Sequence, residues 1–239
     1  MARRFLTADW RYLAMLHYEV EPAVLASLVP KGTELDDRDG HHYIGLVGFL
    51  FLDTRIFGLP ALFHQNFEEV NLRFYVRRDV GGERRAGVTF IREMVPLTFV
   101  SEAARLTYNE PYRTVPMQHA LAETNGRLHS VEYLFGGQRD QCRFALHADG
   151  PAREIQPGSQ EEFFSERGWG YTVQRDGGTI EYRVKHERWR VWPNARWELV
   201  GELASFYDPP FADIISGEPS SAFIADGSSV SVYLPQRIA

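Results

Sequence analysis

Strict alternation of apolar and polar positions marks residues 67–76, FEEVNLRFYV, as a β-strand with two unlike faces. Successive strand side chains point to opposite faces, so Val70, Leu72, Phe74 and Val76 form an apolar stripe. Glu69, Asn71, Arg73 and Tyr75 form the other stripe. Taken alone, that polar stripe reads as the wet face of an antiparallel strand. If it lined a cavity instead, Glu69 and Arg73 would lie about 13 Å apart along the strand and would need partners from other strands or from a ligand.

The run 43–56, YIGLVGFLFLDTRI, is apolar on both faces and too long for a flat strand. Gly45 and Gly48 predict a bend or bulge within it. A long, coiled strand covered on both sides fits a barrel with further elements packed against it. Residues 10–20 predict another buried strand. Turn signals then recur at barrel-like spacing: DVGGE after 67–77, Asn125-Gly126 between PMQHALAE and LHSVEYLF, GGQRD before QCRFALHA, and RDGG before TIEYRVKHERWRV. Helices are few and short. Pro22 opens PAVLASLV, SEAARLTYN spans 101–109, Ser159 and Glu162 have capping-box spacing before a helix that Gly168 stops, and Asp208 caps FADIIS. The pattern predicts one mainly β domain over 1–239, a barrel with a few short peripheral helices.

Charge narrows the function classes. A net charge of −6 offers nothing basic enough to neutralise phosphates, so nucleic acid is not an expected partner. Arg84 and Arg85, beside a Gly-Gly turn, read as solvated. The basic start MARRF is followed by Asp9 and Arg11, which interrupt any signal-peptide core, and no window is long and apolar enough to span a membrane. A cytoplasmic protein is expected, with a homo-oligomer compatible. Cys142 is the only cysteine and shares a strand face with Phe144 and Leu146, the position of a small buried hydrophobe. Lysine occurs only as Lys31, in a turn, and Lys185, on a charged stripe with Glu181, Arg183 and Glu187 that reads as solvated. Neither has the burial that would activate an amine.

The chain contains no GxGxxG, P-loop, GxSxG or HExxH signature. His41 and His42 fall on opposite strand faces and make a poor metal clamp. No metal and no cofactor is expected.

Several long blocks carry a family resemblance: LHYEVEPAVLASLVPKGTELDDRDGHHYIGLVGF, then FEEVNLRFYV, AARLTYNEPYRTVPM and IEYRVKHERW. In this order, across nearly the whole chain, they resemble the YqjF-like family of unknown function, which is similar in turn to acetoacetate decarboxylase. The resemblance implies an acetoacetate decarboxylase-like, cone-shaped, mostly antiparallel β-barrel with a central pocket. In the decarboxylase a Gly-Arg-Glu run precedes Pro-Lys-Lys, whose first lysine forms a Schiff base. Here Ala104-Arg105-Leu106 precedes Pro111-Tyr112-Arg113. Tyr112 stands at the Schiff-base position and Arg113 beside it, and a phenol cannot form an imine. The decarboxylase also carries a functional glutamate on an earlier strand, and Glu69 is its positional match.

The resemblance thus implies that the stripe Glu69, Asn71, Arg73 and Tyr75 faces inward, with the opposite stripe under outer helices. His186 shares a face with Tyr182 and Val184 and also looks inward. The expected site has Glu69, Tyr112 and His186 as acid/base candidates and Asn71, Arg73, Tyr75, Arg105 and Arg113 as ligand-binding residues. Three functions stay open. They are a binder of a small anionic or carbonyl-bearing metabolite, an enzyme acting on a small carboxylate through Glu69 or His186, and a non-catalytic scaffold.

Overall fold

A computed structural model describes residues 3–62 and 64–239. The principal strands are β1 (Arg4–Val20), β2 (His42–Ile56), β3 (Phe67–Val80), β4 (Glu83–Val95), β5 (Tyr112–Thr114), β6 (Met117–Thr124), β7 (Arg127–Phe135), β8 (Cys142–His147), β9 (Trp169–Val173), β10 (Thr179–His186), β11 (Arg190–Pro193), β12 (Arg196–Gly201) and β13 (Ser221–Tyr233). The helices are α1 (Pro22–Leu25), α2 (Thr98–Thr107), α3 (Gln160–Ser165) and α4 (Phe211–Ile215).

Hydrogen-bonded neighbours run β13-β1-β2-β3-β4-β9-β10, and β10 pairs back onto β13. The result is a cone-like ring of seven strands, antiparallel at every seam except β4–β9. Two of its seams are thin. The β4–β9 seam has two residue pairs and β10–β13 has three, against eleven along β3–β4. A second sheet, in the order β12-β8-β7-β6, lies against the outside of the ring. Asn125 and Gly126 both take positive φ and join β6 to β7, as the Asn-Gly signal predicts.

The two faces of β3 part as the alternation requires. Val70, Leu72, Phe74 and Val76 are fully buried and share a core with Tyr133, Phe135 and Phe144 of the outer sheet, Leu25 of α1 and Phe211 of α4. The cover over this stripe is therefore chiefly a second sheet, not the outer helices expected. Glu69, Asn71, Arg73 and Tyr75 point into the ring and are all buried.

Neither glycine of β2 makes a bulge, since its pairing with β3 is continuous from Ile44↔Phe74 to Phe51↔Phe67. A Cβ on Gly45 would lie 2.7 Å from the Tyr75 hydroxyl and 3.0 Å from His17 Cδ2. The glycine is needed for that close approach. The bends fall instead at Tyr12 and Asp53, both at positive φ, where the β1–β2 register shifts. Ser159 caps α3 as expected, accepting from the Glu162 amide at 3.2 Å. Asp208 precedes α4, but its side chain makes no cap and faces Arg92 at 3.5 Å.

Two charged positions differ from their reading as solvated. Glu181 is fully buried, and its carboxylate accepts from Arg78 at 2.9 Å, Arg85 at 2.6 Å and Gln236 at 2.6 Å. Arg85 is accordingly mostly covered and lies 4.3 Å over the Trp169 ring, whereas Arg84 stands exposed beside Asp79. The alternation of β10 assigned Glu181 to the right face, but the chain end at Gln236 covers that face.

Candidate functional site

The ring encloses a cavity of about 200 Å³. One wall is aromatic: Trp10 of β1, Phe49 and Phe51 of β2, and Phe67 of β3, with successive ring centroids 4.6–5.2 Å apart. Another part of the lining is acidic. Strand pairing places Val47, Asn71, Glu93 and Tyr112 in one lateral row across β2, β3, β4 and β5. Glu69 stands on the same inner face of β3, two residues before Asn71. The Tyr112 hydroxyl donates to Glu69 Oε2 at 3.0 Å, and Asn71 Nδ2 donates to Glu69 Oε1 at 2.9 Å.

Glu93 reaches this row only because β4 carries a bulge at Ile91. Leu72 pairs with Arg92 but Arg73 with Phe90, so the inward positions of β4 switch from Val88 and Phe90 to Glu93 and Val95. A third carboxyl, Glu110, comes from the turn after α2. Asn109 at φ 57° reverses the chain, and Pro111 holds the preceding residue extended. Glu110 Oε1 then accepts from Thr172 Oγ1 at 3.3 Å and from the Tyr182 hydroxyl.

All three carboxyls are buried. Burial raises Glu69 to about 7, with the Glu110 charge adding to the rise and the Asn71 and Tyr112 hydrogen bonds opposing it. Burial likewise raises Glu110 to about 7, against the bonds from Tyr182 and Thr172. Glu93 is held well above the usual carboxylate range by burial, then by Glu110 and Glu69, and its Oε2 has no hydrogen-bond partner. Burial and the surrounding carboxyls also push the Tyr112 phenol up. Near neutral pH this cluster holds protons that isolated carboxyls would have lost.

Further along β3, Arg73 lines the same cavity. Its Nη2 donates to the Phe164 carbonyl at 3.2 Å and its Nε is buried without a partner. Among the described residues, no carboxylate lies within ion-pairing distance of Arg73, unlike Arg167 beside it, which is paired with Asp36. Arg167 also donates through Nε to the Phe163 carbonyl at 2.6 Å, so both arginines satisfy carbonyls at the C-terminal end of α3. Beneath them His17 is fully buried, stacked 3.6 Å from the Phe164 ring, and kept neutral by burial and by the charges of Arg73 and Arg167.

The structure therefore brings Glu69, Asn71, Arg73 and Tyr112 to one cavity, with His186 at its edge. His186 is half-buried against Trp189, its Nδ1 2.8 Å from the Glu187 carbonyl, and lies about 13 Å along β10 from Tyr182. Three expected residues stand elsewhere. Tyr75 is buried behind Arg73 and Arg167 and does not line the cavity. Arg105 points outward from α2 to Glu102 at 3.1 Å, because the helix turns its small residues Ala103 and Ala104 to the cavity. Arg113 follows Tyr112 in a strand and so takes the opposite face, where it donates to the Ser205 carbonyl at 2.7 Å. Lys31 and Lys185 are both exposed. Among the described residues, no group of three or more His, Cys, Asp and Glu side chains is placed to hold a metal ion, and no helix is long and apolar enough to cross a membrane.

Sequence reasoning placed Tyr182 on the inward face with His186 without giving it a site role, and it missed Glu93, Glu110 and Arg167. Only Glu110 carried a signal, as a carboxyl fixed immediately before Pro111.

The profile of the DUF2071 family, described as uncharacterised conserved proteins, matches residues 7–229. The chain belongs to that family. As a DUF2071 protein it is similar to the uncharacterised protein YqjF of Bacillus subtilis (strain 168), at 27% identity over 140 residues. That match covers 58% of this chain and 54% of YqjF, so the chain spans about half the length of the curated relative it matches. Solved structures extend the likeness of fold. Acetoacetate decarboxylase from Legionella pneumophila superposes with a TM-score of 0.69 at 13% identity, over 99% of this chain and 88% of that one. An acetoacetate decarboxylase-like enzyme from Sphingomonas wittichii RW1 gives 0.65 at 14%, over 98% and 92%. The enduracididine biosynthesis enzyme MppR, solved in complex with pyruvate, gives 0.65 at 10%, over 100% and 92%. At these identities the likeness is one of fold.

Proposed function

We propose that this DUF2071 protein binds a small carboxylate-bearing metabolite in the ring cavity, with Arg73 as the anchor for the anion. The observation that carries the reading is a buried guanidinium that lines a cavity and, among the described residues, has no carboxylate within ion-pairing distance. A buried charge without a counter-ion is costly, and a ligand carboxylate supplies the missing partner through planar, paired donors. The pyruvate complex of the similarly folded MppR is consistent with such a ligand. No Schiff base forms, since Tyr112 stands where the decarboxylase has its lysine. The expectation of a cytoplasmic protein stays with this proposal.

Thermal unfolding against a panel of small carboxylates and keto acids tests it. A ligand at a hundred times its Kd stabilises by about 2.7 kcal/mol, roughly 5–10 °C for a chain of this size. The shift disappears in Arg73→Gln, which keeps a donor for the Phe164 carbonyl but removes the charge. A shift that survives this substitution removes Arg73 from the site.

The Tyr112–Glu69 pair favours a second reading, acid/base catalysis on a carbonyl-bearing carboxylate. A carboxyl near 7 in hydrogen-bond contact with a phenol can take or give a proton at neutral pH. Enzyme-dependent deuterium uptake into such a ligand in heavy water, lost in Glu69→Gln, is the expected signature. His186, at the cavity edge, is a weaker candidate for that base.

A further inference from the structure

The cavity lining is far more apolar than a two- or three-carbon acid requires. Trp10, Phe49, Phe51 and Phe67 form a continuous aromatic wall, with Val88 and Phe90 of β4 also facing the cavity. The wall is extended. Phe67 and Arg73 are six residues apart on β3, about 20 Å along the strand.

The apolar surface also continues out of the cavity. Among the described residues eight large hydrophobic side chains stand exposed, and five of them fall on two segments that border the cavity. Phe57, Leu59 and Leu62 follow β2, while Phe99 and Leu106 belong to α2. Phe57 packs edge-on against the cavity residue Phe5 at 5.4 Å, and Phe99 lines the cavity while remaining 64% exposed. Exposed apolar surface continuous with an apolar cavity marks a binding groove. A pyruvate-sized ligand would leave the aromatic wall and this rim uncovered.

Building on the reading of Arg73 as a carboxylate anchor, we propose that the ligand is an amphipathic acid, a medium-chain alkyl or aryl carboxylate. Its apolar body lies along Trp10, Phe49, Phe51 and Phe67, and its far end reaches the rim at Phe99. Glu93, which burial holds well above the usual carboxylate range, keeps its proton near neutral pH, and a neutral carboxyl tolerates an apolar neighbour.

Calorimetric titration of the full chain with acetate, butyrate, hexanoate, octanoate and phenylacetate tests the proposal. Affinity is expected to rise about fourfold for each methylene buried, until the chain emerges at the rim. Phe99→Ser, a change at an exposed position, lowers octanoate affinity severalfold. Equal affinity across the series, or a fall with length while acetate binds, overturns the amphipathic assignment and leaves the carboxylate anchor standing. An equal loss for acetate and octanoate in Phe99→Ser likewise overturns it, since the effect would not act on the tail. If no acid in the series binds, the anchor at Arg73 falls and this assignment falls with it.

Discussion

The Tyr112 hydroxyl donates a 3.0 Å hydrogen bond to Glu69 Oε2, across a strand that carries a third acidic group, Glu93, between them. Tyr112 thereby stabilises the ionised form of a buried carboxyl. In Tyr112→Phe the Glu69 carboxyl loses that donor and titrates above its present value of about 7. NMR titration of the side-chain carboxyl carbons reads this directly. An unchanged Glu69 titration sinks the assignment of the pair.

Glu93 gives the cluster a pH-dependent cost. Below the ordinary carboxylate range both folded and unfolded chains keep its proton, and the residue is neutral in both. As pH rises, the unfolded chain ionises first while burial keeps the folded one protonated, so stability is lost until the folded pKa is passed. Glu93→Gln removes that loss. It is expected to melt a few degrees above the wild type at about pH 8, with the difference fading toward about pH 4. Parallel melting curves across this range would show Glu93 to be ionised in the folded protein.

Much of the wall was legible. The period-two stripe of FEEVNLRFYV identified a strand with an apolar and a polar face, and the resemblance turned the polar face inward. The place of Glu93 in the acidic lining was not. Alternation along GVTFIREMV carries no mark of the bulge at Ile91, which depends on how two strands twist past each other, so Glu93 stayed hidden. The same limit explains Arg105 and Glu181. Sequence gives the faces of an element but not which face turns inward or what reaches it: α2 turns Ala103 and Ala104 rather than Arg105 to the cavity, and Gln236 arrives from far along the chain at Glu181.

Gly45 is predicted to tolerate no side chain. Its missing Cβ faces the Tyr75 hydroxyl at 2.7 Å and His17 at 3.0 Å, and both rings are held by Phe164. Gly45→Ala should cost about 1–3 kcal/mol as an overpacked core does. For a chain of this size that lowers Tm by about 2–4 °C per kcal/mol. A variant that melts with the wild type would mean that this aromatic layer yields easily.

Imine chemistry is expected to fail. Lys31 and Lys185, the only lysines, are both exposed, and neither lines the cavity. Borohydride reduction in the presence of a keto acid should leave the intact mass unchanged. A lysine adduct mapped to Lys185 would reverse this.

The ring is stitched unevenly, and Glu181 changes what that means. Within the ring the β9–β10 hairpin joins β4 by two residue pairs and β13 by three, with two more pairs from Ile180 and Glu181 to Arg237 and Gln236. Its Glu181 is gripped by Arg78 of β3 and Arg85 of β4. The hairpin is thus joined to the ring by few backbone pairs and tied to β3 and β4 by an ionic latch. Amide exchange should be fastest there within the ring, and faster again in Glu181→Gln, because backbone pairing alone holds it weakly. Loosening that latch frees one panel of the cavity wall while the long staves β1 to β4 stay in place.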